Sequence, residues 1–292
     1  GYRASVTMML VGREARERAE AVGRAIIARA TRLMQAAGFA PFADASMEII
    51  GSESSYGAQS RARSAREVVL KIGVRHAERG ALDIFSREIY PAATAMAQSL
   101  TGFAGGRPEP QPVIRLFSFL VDRAKAPASV EIDGQAFDVI DNAPNEPAPA
   151  SPPRAPPQAR ELSGKMRPTP LIALAYGRSG DKGDAANIGV IARRPEFLDA
   201  IRAAATPGAV QRYMRHFVEG EVERFEWPGL GGFNFLLHRA LGGGGVSSLR
   251  HDPQGKAFAQ ILLEMEIPAP AAWFEAGGPL ANWRDEIGES AA

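Results

Sequence analysis

Apolar residues recur along the first part of the chain with a period of two and then of about 3.6. Ser5 to Leu10 alternates as a strand, and Arg13 to Ala37 repeats at helical spacing, with Ala15, Ala19, Val22, Ile26, Leu33 and Ala37 on one face. Gly38 closes that helix. A strand is predicted over Ala45 to Ile50, followed by the polar loop "GSESSYG", and another over Glu67 to Val74 with Val68, Leu70, Ile72 and Val74 on one side. Leu82, Phe85, Ile89, Ala93 and Met96 then predict a helix from about Arg79 to Leu100. Val113 to Asp122 reads as a buried strand, and "VEIDGQAFDVI" as two short strands turned at Asp133-Gly134. This order predicts an α+β sandwich with helices on one face of a mixed sheet.

The pattern stops at Asn142 to Pro170, where prolines remove backbone donors and predict an extended, semi-rigid connector. Beyond it, Leu171 to Tyr176 reads as a strand, "YGRSGDKGD" as a turn, and Ala186 to Ala192 as a strand. Helices are expected at Pro195 to Ala205 and at Pro207 to Val218, the second opened by Thr206-Pro207. A strand at Val222 to Trp227 follows, then "NFLLHRAL" as a short helix ended by "GGGG". The alternation of Ala259, Ile261, Leu263, Met265 and Ile267 predicts a last strand. The fold expected is thus two open-faced α/β sandwiches: residues 1–141, a connector over 142–169, a second domain over 170–276 and a tail over 277–292.

Composition narrows the function classes. The chain has 292 residues, 34 basic against 33 acidic, for a net charge of +1. No bulk field recruits nucleic acid or an anionic membrane, so an anion must be bound locally. The absence of cysteine excludes disulfides, thiolate metal sites and cysteine nucleophiles, and fits a reducing cytoplasm. No apolar run approaches the roughly 20 residues that cross a bilayer. The sequence opens at Gly1 without Met, which suggests the later part of a longer polypeptide.

Two glycine-rich stretches carry the candidate chemistry. In "RSGDKGD", Arg178, Ser179, Gly180, Lys182 and Gly183, with Asn187 just beyond, could let backbone and cations approach a ligand, while Asp181 and Asp184 offer proton transfer. The spacing matches neither a P-loop nor an EF-hand. A salt-bridged turn is the plain alternative. In "ALGGGGVSSLRHDPQGKA", Gly243, Gly244, Ser247, Ser248 and Arg250 could present donors to a carboxylate or phosphate, and His251 is the histidine best placed to move a proton. A flexible loop with a "DPQG" turn is the alternative there. His216 and His238 read as packed helix residues. A divalent metal on Asp181 and Asp184 would lack a histidine pair at ligand spacing. The "GSESSYG" loop presents Glu53, Ser54, Ser55 and Tyr56 as either an interface or a catalytic loop, and spacing assigns no Ser, His and Asp set.

The stretches "ASMEIIGSESSYG", "GRSGDKGDAANIGVIARRPEF", "HFVEGEVERFEWPGL" and "NFLLHRALGGGGVSSLRHDPQGKAFAQILL" resemble the acyclic terpene utilisation protein A family, formerly a domain of unknown function. The resemblance implies a ferredoxin-like domain from Thr169 onward and a preceding domain absent from this chain. It also implies a role in citronellol- and geraniol-type acid catabolism through coenzyme A thioesters, and it supplies no catalytic residues. Two functions are then in contention. One is an enzyme, or part of one, acting on an acyl-coenzyme A thioester by hydratase- or lyase-type chemistry, with no certain cofactor. The other is a non-catalytic assembly or ligand-binding domain, as a homo-oligomer or packed on the missing domain.

Overall fold

The first alternation is a ten-residue strand, β1 (Tyr2–Val11), which buries Ala4, Val6, Met8 and Leu10. Helix α1 (Ala15–Ala36) covers these with Ala15, Ala19, Val22, Ile26, Ala30 and Met34. Met34, one position beyond the expected Leu33, thus ends the buried stripe. Strands β2 (Asp44–Ile50) and β3 (Glu67–His76), helix α2 (Arg79–Ala95), and strands β4 (Leu100–Ala104) and β5 (Gln111–Pro112) complete this half.

The sheet order is β2-β3-β1-β4, with β5 added on β1, and every pairing is antiparallel. That is the order of the split βαβ arrangement, not the mixed sheet expected from the sequence. Val6 pairs with Ile72, Met8 with Leu70 and Leu10 with Val68, so one face of the sheet is continuously apolar beneath the helices. Its opposite face is polar: Arg3 on β1, Glu48 on β2, and Lys71, Gly73 and Arg75 on β3.

The computed structural model describes residues 1–139 and 162–288. Of these, residues 1–115 and 162–288 gather into one compact unit, and residues 116–139 belong to another. The strand expected over Val113 to Asp122 does not form, and Leu116, Phe117 and Leu120 are exposed. The second unit contains the expected hairpin, β6 (Ser129–Ile132) and β7 (Gln135–Asp138). Both turn residues, Asp133 and Gly134, take positive φ as a two-residue hairpin requires. The expected connector lies mostly outside the described residues. Its last part is not linker but ladder.

That ladder is β8 (Met166–Pro170). After a 3-10 turn come β9 (Ala175–Lys182), β10 (Ala185–Ala192), α3 (Leu198–Ala204), α4 (Pro207–Tyr213), β11 (Val222–Trp227), β12 (Gly232–Leu237), α5 (Phe258–Leu263), β13 (Glu266–Pro270) and α6 (Trp283–Glu286). The strand expected over Leu171 to Tyr176 is therefore shifted: β9 begins at Ala175. Thr206 caps α4 by accepting from Ala209 N, with Pro207 in the first turn, as the sequence predicts.

Strands β11-β12-β10-β9 form a four-stranded antiparallel sheet, and β13 pairs with β8. Ala186, Ile188, Val190, Phe233, Phe235 and Leu237 line its inner face against Phe197, Ile201, Val210, Met214, Phe258 and Leu262. "NFLLHRAL" is thus the end of a strand and a turn rather than a helix, and the supposed strand around Ile261 and Leu263 is helix. Among the described residues, no helix is long and apolar enough to cross a membrane.

Candidate functional site

The "RSGDKGD" stretch is not the open turn that its glycines suggested. Arg178 to Lys182 lie in β9, and only Gly183-Asp184 makes the turn into β10. The second glycine stretch meets this turn backbone to backbone. A Cβ on Gly244, whose φ is +75°, would stand 2.2 Å from Gly183 O and 2.7 Å from its carbonyl carbon. Only glycine fits such a crossing. Asp184 ties it together: its carboxylate accepts from Gly243 N at 2.7 Å, and its carbonyl accepts from Ala240 N and Leu241 N at 2.9 and 3.2 Å.

The remaining candidates in this loop are likewise committed to holding it. The buried Ser247 hydroxyl donates to Gly243 O at 2.6 Å, with Gly244 O at 2.9 Å. Ser248 Oγ accepts from Arg250 N at 3.3 Å. The Arg250 guanidinium donates to Ala240 O and to Phe217 O, and lies 5.2 Å from the Phe217 ring centroid. Burial lowers its pKa. The two glycine stretches do converge, but protein atoms fill the space expected to cradle an anion.

A cavity of about 460 Å³ lies instead on β9 and β10, bordered by Lys256 ahead of α5 and reaching across to Trp227 of β11. Tyr176, Arg178, Lys182, Asn187, Trp227 and Lys256 line it. Strand alternation explains the division of β9, since Gly177 and Ser179 turn toward α5 while Tyr176, Arg178 and Lys182 are exposed. Ser179 Oγ donates to Gly255 O at 2.6 Å and accepts from Ala259 N at 2.9 Å, so it fixes the start of α5. Gly180 leaves room for Lys256, whose Nζ is 3.0 Å from where a Cβ would be. Lys182 Nζ donates to Asp181 O, Lys256 stands 4.0 Å from the Asp181 carboxylate, and Asn187 donates to Asn234. The Arg178 side chain has no hydrogen-bond or ion-pair partner among the described residues, while its backbone pairs with Gly189. Three cations therefore border an aromatic-sided cavity with one nearby acid.

His251 sits elsewhere. Residues 246–251 lie on the polar face of the first sheet, where Arg3 donates to Val246 O, Arg75 to Ser247 O, and Lys71 to Leu249 O at 2.5 Å. Leu249 packs on Gly73, where a Cβ would come within 3.1 Å of its side chain. His251 Nδ1 is 2.7 Å from Glu48 Oε1, its backbone N donates to Glu48 Oε2, and its Nε2 is 3.3 Å from Ser55 Oγ. Lys71 Nζ completes the group, 3.1 Å from Glu48 Oε2.

The hydrogen bond that His251 donates to Glu48 raises the His251 pKa above its ordinary value, against burial. Burial pushes the Glu48 carboxyl upward, but the bonds and charges of His251 and Lys71 together hold it below its ordinary value. For His251 the folded pKa exceeds the unfolded one, so its stabilisation is full below about 6.5 and fades as pH rises through the raised value. Glu48 contributes above about 4.5 and loses its contribution as pH falls through its lowered value. Titration of the His251 ring by NMR is expected to show the raised midpoint in the native chain and a lower one in Glu48→Gln. Equal midpoints would mean that the pair is not formed in solution.

His216 lies in a turn, not a helix; its Nε2 is 2.8 Å from Ser55 O, and burial lowers its pKa. His238 follows β12 and lies 2.6 Å from Glu223. With Glu221 these two could hold a metal ion; both carboxylates are exposed and His238 is part-buried. Among the described residues, Asp181 and Asp184 belong to no such grouping. A smaller cavity of about 140 Å³ is lined by Glu53, Tyr56, Arg61, Tyr213 and Glu264, where burial and then Glu264 push the Tyr213 pKa up to about 12.

Spacing alone missed Tyr176, Trp227 and Lys256 at the cavity, and Glu48 and Lys71 beside His251. The signal for the last pair was present: Glu48 and Lys71 are cross-strand partners on the face opposite the apolar alternation.

No curated protein and no solved structure matches the chain significantly. Two family models do: that of the acyclic terpene utilisation family protein AtuA over residues 1–132, and that of the AtuA ferredoxin-like domain over residues 169–268. These spans contain both sheets, the cavity and the Glu48–His251 seam, and the chain accordingly belongs to the AtuA acyclic terpene utilisation family.

Proposed function

We propose that the chain is an enzyme, or the ligand-binding part of one, in acyclic terpenoid or related branched-acid catabolism, holding an acyl-coenzyme A intermediate in the cavity beside β9. One observation carries the reading: Arg178, Lys182 and Lys256 border the same space as Tyr176 and Trp227. Guanidinium and ammonium groups suit phosphates and carboxylates, and aromatic walls suit a flat heterocycle or an acyl chain. Family membership supports the metabolic setting.

Hydratase- or lyase-type chemistry would need a proton-transfer group at this cavity. Of the three candidates from the sequence, Asp181 is the one beside it. Asp184 is committed to the backbone crossing, and His251 lies on the seam.

Isothermal titration with coenzyme A and branched acyl thioesters tests the reading. Arg178→Ala and Lys256→Ala should each weaken binding about tenfold, equivalent to about 1.4 kcal/mol. No heat with any thioester would remove it. The exposure of Tyr176 and Phe225, 57% and 47%, on β9 and β11 favours a second reading as an assembly domain. Under that reading, Phe225→Ser would lower the sedimenting mass and leave thioester binding absent.

A further inference from the structure

Glu48, His251 and Ser55 come from a strand, a distant loop and a 3-10 turn, and the two ring nitrogens of His251 link the other two. The Ser55 hydroxyl is 3.3 Å from His251 Nε2, and His251 Nδ1 is 2.7 Å from Glu48 Oε1. A carboxylate at Nδ1 holds the proton there in the neutral ring. Nε2 is then left as an acceptor facing a hydroxyl, the arrangement by which a histidine activates a serine.

The turn that presents Ser55 is held from several sides. Glu53 takes left-handed φ and ψ of 54° and 42°, and Gly57 takes φ 56° and ψ −121°, a combination open to glycine alone. His216 rests against Gly57, where a Cβ would fall 2.8 Å from its ring, and its Nε2 bonds the Ser55 carbonyl at 2.8 Å. Glu53 accepts from Arg61 N and Ala62 N, closing the loop on itself. Ser55 is thus fixed in place while part of it remains open to solvent.

We infer that Ser55 is an acyl-accepting nucleophile, with His251 as its general base and Glu48 as the positioning residue that sets the histidine's tautomer. The ligand class is an activated acyl carbonyl, an ester or a thioester. Ser55 Oγ bonds to the carbonyl carbon as its proton passes to His251 Nε2. The carbon–oxygen or carbon–sulfur bond then breaks, and the leaving alcohol or thiol takes that proton. Water, deprotonated by His251, attacks the acyl-serine, and the serine oxygen recovers the proton, releasing a free acid. No oxidant or metal enters the balance.

The groups facing His251 are Glu48 from β2, Lys71 from β3, Ser55 from the turn and Asp252 from its own loop. The inference does not rest on the thioester cavity. Simple esters test it whether or not coenzyme A binds.

The full chain is to be treated with a fluorophosphonate and with p-nitrophenyl butyrate, and the labelled residue located by mass spectrometry. The expected result is an adduct on Ser55 and ester turnover that rises with pH through one ionisation, both lost in Ser55→Ala. His251→Ala should slow labelling about 100-fold or more, and added imidazole should restore part of it. Glu48→Gln should move the pH midpoint downward. Because His251 also bonds across the seam, circular dichroism and thermal melting accompany each variant. A folded native chain without a Ser55 adduct, or a folded His251→Ala labelled at the native rate, would overturn the inference.

Discussion

Replacing Gly244 by alanine is expected to destabilise the fold by about 3 kcal/mol or more. Two costs add. The backbone sits at φ +75°, a region that a side chain makes strained, and the new methyl would lie 2.2 Å from Gly183 O and 3.0 Å from Asp184 N. Neither neighbour is the end of a flexible side chain, so relief requires the turn and the glycine loop to part. That motion would also break the bond from Gly243 N to the Asp184 carboxylate. Gly229→Ala is the natural control, with nothing within 4 Å of its added Cβ, and it should stay within about 0.5 kcal/mol of the parent. Chemical denaturation measures both. A Gly244→Ala midpoint matching that of Gly229→Ala would mean that the crossing is looser than described.

Phe258→Ala is expected to cost about 3–5 kcal/mol. Phe258 is 1% exposed and begins α5, which Ser179 pins to β9. Its ring stacks on Phe217 at 4.7 Å and 22°, and Phe217 in turn lies beneath Arg250. Truncation therefore opens a void and also loosens the platform of a cation that holds two backbone carbonyls. For a unit of this size, the loss corresponds to a fall of roughly 10 °C in melting temperature. Tyr176→Ala, at an exposed site, should shift melting little. A Phe258→Ala loss below 1 kcal/mol would show that the helix does not close the core.

The first half of the fold was largely legible because its strands bury an apolar row on one face and carry mostly polar residues on the other. Beyond Val69, the buried Leu70, Ile72 and Val74 alternate with Lys71, Gly73 and Arg75. In β12 the same rule is hidden, since Leu236 follows Phe235 and precedes Leu237 on the outward side. Four apolar residues among five conceal a period of two. Helix α5 fails for the opposite reason: Phe258, Ala259, Ile261, Leu262 and Leu263 are all buried, so every second residue of a helix hydrophobic nearly all round mimics a strand. The Val113 to Asp122 stretch is apolar yet exposed, and no local pattern distinguishes that case.

The site was legible in kind but not in location. Both glycine stretches were recognised as places of close approach, and they approach each other. The cavity uses Arg178 and Lys182 from one of them, but its third cation and its aromatic wall come from elements whose proximity depends on strand order. Glu48 and His251 are farther apart still along the chain.

The bonds from Arg3 to Val246 O, Arg75 to Ser247 O and Lys71 to Leu249 O span 243, 172 and 178 residues. Closing loops of that length is entropically costly, so each sheet with its helices can condense before these contacts form. Recovery of serine reactivity after dilution from denaturant would then lag behind the return of helical signal, because the last step of refolding is the one that brings a hydroxyl to its imidazole.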